Sequence, residues 1–359
     1  MRLAAVTSLA VPLMVACALV LAPRARAAEL RDNLYGVRAL SATDAWAVGN
    51  FGTMEHTTDG GKTWREVDSG TKVPLFSIDF GDPQHAWAVG KSAMVLRTED
   101  GGKTWKEQKT PLSVEKHLFK VRAVDVNTAW AVGDWGTMIS TKDGGATWQD
   151  RSLGVTPVKT EETAPGRSTT TLTDDIILYD LSFPDAQHGF IVGEFGTLLV
   201  SSDAGATWAR RTTPTEKTLF GVHFTTPDRG WVVGIDGLVL RTEDGGHTWD
   251  VQHGKPDVAG VEEINFRETL KNPGMYAVRV EGDYGIVVGD VGMVLTSSDG
   301  GRTWTRRELP DEDRLVWLRD VSLAPGTGGF TVGAAGFDAR VEHADVVLPD
   351  GRRSVTPAS

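Results

Sequence analysis

Short runs in which apolar and polar residues alternate recur along the chain. Phe76, Ile78 and Phe80 are separated by Ser77 and Asp79, and Tyr179, Leu181 and Phe183 by Asp180 and Ser182. A period of two predicts strands with one buried face. Each run opens on Tyr35, Phe76, Phe119, Tyr179, Phe220 or Tyr276, with Arg319 in the seventh place. An apolar run ending in glycine follows, as in Trp46 to Gly49, Trp87 to Gly90 and Trp130 to Gly133; the later copies end at Gly193, Gly234, Gly289 and Gly333. Ten residues beyond six of these glycines stands the aspartate of an Asp-x-Gly-x-Thr-Trp turn. The copies run from Asp59 to Trp64, Asp100 to Trp105, Asp143 to Trp148, Asp203 to Trp208, Asp244 to Trp249 and Asp299 to Trp304. Asp and Gly make the turn, the Thr hydroxyl braces it, and Trp anchors the next strand. His343 stands where the seventh aspartate would be.

Each unit therefore reads as four short strands: A from the aromatic, B ending in glycine, C before the turn and D after it. Successive strand-B glycines are 41, 43, 60, 41, 55 and 44 residues apart. Four strands at this period are one blade of a β-propeller, so the expectation is an all-β, seven-bladed propeller over residues 28–348. Insertions at 150–175 and 251–275 fall in D-to-A connections. Val346, Val347 and Leu348 are expected to complete the last blade, and 349–359 to form a disordered tail.

Before the first repeat, Arg2, an apolar stretch over 3–22 and an Ala25-Arg26-Ala27 cleavage site predict an export signal at 1–27. Pro12, Pro23 and the small-residue exit argue against a retained span. Lipid attachment at Cys17 is disfavoured by Met14 at the head of its box. The expected compartment is periplasmic or extracellular, without membrane insertion after cleavage. Cys17 is the single cysteine, so the cleaved chain has no disulfide and no thiolate chemistry. The net charge of −11 becomes more negative when Arg2, Arg24 and Arg26 leave, which excludes nucleic acid as a main partner.

Repetition constrains the chemistry. Six equivalent turns cannot all be active sites, so their role is structural. Gly61-Lys62-Thr63 and Gly102-Lys103-Thr104 lack the upstream glycine of a phosphate loop, having His56 and Arg97 there. Histidines lack ligand spacing, so neither metal nor cofactor is expected.

Strands alternate in direction, which puts B–C hairpins and D–A connections on one face and the Asp-to-Trp turns on the other. The elaborated D–A face is where a partner would bind. Its hairpin tips carry Phe51, Trp135 and Phe195, flanked by Asp134, Glu194 and Asp290: candidate hydrophobic anchors with an acidic rim. Alternatively each ring folds back over its own blade. Three residues after each strand-A aromatic come Arg38, Asp79, Arg122, Ser182, His223, Arg279 and Ser322, a polar set bordering the channel. It could hold a ligand or carboxylate terminus, or consist of internally paired charges.

The turns resemble the Asp-box, or BNR, repeat, which also occurs in sialidases. Those enzymes use an arginine cluster and a tyrosine nucleophile; here Tyr35, Tyr179 and Tyr276 occupy equivalent positions that imply packing, and only Tyr284 stands apart. Together, the strand-B runs, the turns and the export signal resemble the photosystem II stability and assembly factor family over residues 34 to about 343. The resemblance implies a non-catalytic propeller outside the cytoplasm that binds a membrane-protein client, in the thylakoid lumen if the source is photosynthetic. The chain departs from the photosynthetic members in lacking an arginine-rich surface run. The alternative is a carbohydrate-active protein, a glycosidase or a glycan-binding module, which paired carboxylates about 5 to 10 Å apart beside an arginine cluster would mark.

Overall fold

A computed structural model describes residues 32–156, 158–160, 175–254, 272–324, 328–342 and 345–356. The expected export signal and most of both insertions lie outside the described residues. The described chain forms seven antiparallel sheets with strands ordered A-B-C-D, from Leu34–Ala39, Ala45–Gly49, Met54–Thr57 and Arg65–Glu66 in blade 1 to Leu318–Ala324, Gly328–Gly333, Asp338–Glu342 and Asp345–Val347 in blade 7. Each strand A packs against those of both neighbouring blades, the first against the seventh, so the strands A ring a central channel.

The apolar core is divided among the blade junctions. Trp46, Val48 and Met54 of blade 1 pack with Leu75, Ile78, Phe80 and Trp105 of blade 2, and each further junction has its own cluster. Strand B is buried along its whole length in blades 1 to 5, and in all but its first residue in blades 6 and 7, because it is covered on both faces. That is why its residues are apolar without alternation.

The turns stitch these junctions. In blade 2, Asp100 accepts the Thr104 N–H at 2.9 Å and the Thr104 hydroxyl at 2.6 Å, while Thr98 donates to Asp100 at 2.8 Å and accepts the Gly102 N–H at 2.9 Å. The same bonds form around Asp59, Asp143, Asp203, Asp244 and Asp299, with Ser201 and Ser297 replacing the upstream threonine in two. This network leaves the second Gly at positive φ with its α-carbon against the previous blade. Gly102 lies on Trp46, Gly205 on Trp130 and Gly301 on Trp231.

Blade 7 is built from one continuous C-terminal stretch. Val346 pairs with Val341, and the junction to blade 1 closes through Phe330, Val332, Val37 and Trp64 with no exchanged strand among the described residues. Residues 349–356 correct the expectation of a disordered tail. A turn from Leu348 to Arg352 reverses the chain, the Ser354 N–H donates to Val346 O at 2.9 Å, and Val355 bridges Glu308 of blade 6. The physical reason is the exposed edge of strand D, whose free backbone groups the returning segment satisfies. A second feature was not foreseen: Val158–Thr160 adds a fifth, parallel strand outside Trp208–Arg211 in blade 4.

Candidate functional site

Every strand A carries a bulge at the same place. Pairing with strand B steps from Leu34 to Gly36, Leu75 to Ser77, Leu118 to Lys120, and so on to Leu318 and Asp320, skipping the opening aromatic or Arg319. A bulge re-aims side chains. It turns the aromatic toward one mouth of the channel, on the same side of the strand as the residue one place further on, while the residue three places on faces the other mouth.

The opening aromatics thus form a wall rather than simple core. Tyr35 meets Phe76 at 5.5 Å between ring centres, Phe76 meets Phe119 at 5.7 Å, and Phe119 meets Tyr179 at 6.1 Å. Phe220 follows at 5.0 Å from Tyr179 and Tyr276 at 5.2 Å from Phe220. Arg319 lies over Tyr276 at 4.7 Å, and Trp317 stacks on Tyr35 at 5.8 Å. They enclose a basin of about 340 Å³ with Lys120, Asp180 and Asp320 at its floor. The expectation of packing alone for Tyr35, Tyr179 and Tyr276 is incomplete, because the bulge makes them half-exposed. The missed signal was the charged residue directly after the aromatic, Lys120, Asp180 or Asp320, which shares the alternating face of Arg122, Ser182 and Ser322.

Below the basin the channel is plugged by charge. Arg38 Nε stands 2.9 Å from Asp79, and Lys120 Nζ 2.8 Å from Asp320. Arg122 bridges Asp79 and Asp180 at 3.9 Å each; Arg279 bridges Asp180 and Asp320 at 3.8 Å each. The acceptors also hold the ring together. Asp79 accepts the Ala123 N–H at 3.0 Å, Asp180 that of Val222 at 3.1 Å, and Asp320 that of Val37 at 3.3 Å. Ser182 and Ser322 do likewise for Phe224 and Ala39, both at 3.0 Å. These side chains satisfy the inner edge of the next blade, which has no further strand to pair with. Burial pushes the Asp320 carboxyl up, but Lys120 and Arg279 outweigh it and hold the group below the usual range.

Arg38, Asp79, Arg122, His223 and Arg279, the channel candidates, line one cavity of about 200 Å³ at the opposite mouth with Ser182 and Ser322. Burial and then Arg279 lower the His223 pKa to about 3, so the ring is neutral, and His223 Nε2 donates to Val280 O at 2.9 Å. Carboxylates and arginines do converge here, the combination that would mark a glycosidase. Asp79, Asp180 and Asp320 each accept a backbone N–H of the next blade and face a basic side chain, so they brace the ring. Tyr284 lies partly buried in the junction between blades 6 and 7, away from both channel cavities.

On the basin face, the second residue of every B–C tip is left-handed. Phe51, Trp135 and Phe195 have φ of 50°, 52° and 53°, where other blades place Ser92, Asp236, Val291 and Ala335. All three rings point outward, 63%, 57% and 56% exposed, instead of folding back over their blades. The flanking acids are engaged in the fold. Asp134 accepts the His117 N–H at 2.8 Å, Glu194 that of Ile177 at 2.9 Å, and Asp290 the Tyr276 hydroxyl at 2.7 Å. They brace each tip against the start of strand A, which leaves the anchors without a free acidic rim.

A closed ring of seven blades around a charged channel, with an aromatic basin and exposed aromatic tips on one face, defines a seven-bladed β-propeller. The chain belongs to the family of the photosynthesis system II assembly factor YCF48, whose family model matches residues 70–172, 160–216 and 212–315. It is 26% identical over 185 residues, 49% of this chain, to the photosystem II assembly lipoprotein Ycf48 of Synechococcus sp. (strain CC9902). That match spans 40% of the relative's length. Among solved structures it is similar to YCF48 bound to D1 peptide (20% identity, TM-score 0.63, 87% of this chain and 94% of that one). It is also similar to YCF48 from Cyanidioschyzon merolae (19%, TM-score 0.64, 87% and 96%). The GH74 xyloglucanase of Xanthomonas campestris shares the fold at 15% identity and a TM-score of 0.63 over 88% of this chain and 53% of that one.

Proposed function

We propose that this chain is an exported, non-catalytic assembly factor that holds a segment of a membrane-protein client on its basin face. The observation that carries the reading is the left-handed conformation of Phe51, Trp135 and Phe195 with their rings in solvent. A bulky residue at positive φ costs about 1–2 kcal/mol relative to glycine, and with their rings in solvent these residues recover little of it, a Lys116 cation–π contact at Trp135 being the exception. Family membership and a relative solved with a D1 peptide support a protein client. Export rests on residues 1–27, with cleavage before Ala28 the proposed form and a lipid at Cys17 the alternative. Among the described residues no helix is long and apolar enough to cross a membrane.

The test is capture of membrane proteins from solubilised envelopes by wild type and by the triple variant Phe51→Ser, Trp135→Ser, Phe195→Ser. Lys103→Ser, on the turn face, serves as control. The reading expects a defined membrane protein with wild type and Lys103→Ser that is lost with the triple variant. Its retention by the triple variant would sink the reading.

A further inference from the structure

We infer that the channel mouth on the turn face binds a small oxyanion, a phosphate or carboxylate group, between Arg38, Arg122 and Arg279. Four cationic side chains in the channel, these three and Lys120, meet three carboxylates, Asp79, Asp180 and Asp320. His223 adds no charge because it is held neutral. The turn-face mouth itself is lined by three guanidinium groups and one buried carboxylate, Asp79, so positive charge there is only partly matched, and an unmatched charge in a desolvated place is costly.

Geometry puts the surplus at this mouth. Lys120 and Arg38 have close carboxylates at 2.8 and 2.9 Å, whereas Arg122 and Arg279 only share theirs, at 3.8 to 3.9 Å. Burial and then the neighbouring Arg122 lower the Arg279 pKa to about 10, whereas at Arg122 burial is outweighed by Asp180, Asp79 and Asp320, which raise it. Two further donors face the cavity. Ser182 and Ser322 each accept an amide through Oγ, and among the described residues their own hydroxyl hydrogens have no acceptor. A cavity of about 200 Å³ admits a phosphate or acetate ion, which guanidinium groups bind through paired N–H donors. Glu281, exposed at the rim, opposes the anion only weakly because water screens it.

Calorimetric titration of the full chain with inorganic phosphate, and separately with acetate, at constant ionic strength set by chloride, tests the site. Saturable one-to-one binding of either is expected, and the two arms tell an inorganic oxyanion from a carboxylate ligand. Arg38→Gln, which leaves Asp79 its backbone donors, should weaken binding about tenfold or more, and Arg38→Lys should restore it. Glu281→Gln should tighten it. No saturable binding by folded wild type, or equal binding by wild type and folded Arg38→Gln, overturns the assignment. The readout needs no client, so it stands or falls separately from the assembly-factor reading.

Discussion

Lys120 Nζ lies 2.8 Å from Asp320 Oδ2, an ion pair that reaches across the channel from the third blade to the seventh. The partners are not equivalent. Asp320 also takes the Val37 and Val321 N–H groups and faces Arg279, so it is a junction between blade 7 and blade 1. Lys120 has this one close partner.

That inequality predicts unequal mutational costs. Asp320→Ala removes an acceptor from two backbone donors and deepens the positive surplus, so it should cost about 3–5 kcal/mol. Lys120→Met leaves three guanidinium groups facing three carboxylates, and should cost less than half as much. Urea unfolding of both variants decides it; equal losses would mean that charge balance does not govern the plug.

A paired glycine test separates backbone strain from blade packing. Gly70 has φ +74° and nothing within 4 Å of an added methyl, so Gly70→Ala should cost about 1 kcal/mol through conformation alone. Gly102 has φ +82° and lies against the Trp46 ring, so the same substitution must also displace a core side chain. Gly102→Ala should cost about 3 kcal/mol or more by denaturant titration.

The glycine and tryptophan spacing made the blade count legible, because a blade repeats its turn and its buried strand B in sequence. The site was legible only in part. Arg38, Asp79, Arg122, His223 and Arg279 could be read as one ring from their common offset, and they do line one cavity. Lys120, Asp180 and Asp320 stand two residues before Arg122, Ser182 and Ser322 and share their alternating face; what alternation hid is the residue before each, an aromatic or Arg319, which the bulge brings to the channel mouth as well. Pairing across the channel, as between Lys120 and Asp320, joins positions 200 residues apart and has no local trace.

The exposed tips predict that stability and binding will part company. Phe51→Asn, Trp135→Asn and Phe195→Asn replace a bulky residue at positive φ with one that tolerates it, so each should leave the melting temperature unchanged or raise it, by about 0.5 kcal/mol equivalent. Trp135 surrenders a cation–π contact to Lys116 at 5.6 Å, so its gain should be smallest. Differential scanning calorimetry reads this directly, and a loss above about 1 kcal/mol would show that the rings serve the fold.

Acid should attack the turns. The Thr63, Thr104 and Thr147 hydroxyls, followed by their backbone N–H groups, lower Asp59, Asp100 and Asp143 from 3.8 to about 2. In Asp244 burial opposes the shift, but the Thr248 bonds prevail and the value is again about 2. A carboxyl with a folded pKa below its unfolded one stabilises the fold above the unfolded value, and that contribution disappears as pH falls through the folded value. Melting temperature should therefore be level above about pH 5 and decline between about pH 4 and 2. Asp320 in the channel acts in the same direction, so the turns need their own signature. Thr104→Val removes the strongest of the Asp100 bonds and should raise that single carboxyl toward 3.8, seen as a shifted carboxyl carbon titration with the other turns unmoved. An unaltered Asp100 titration in Thr104→Val would remove the hydroxyl brace as the cause of the acid limb.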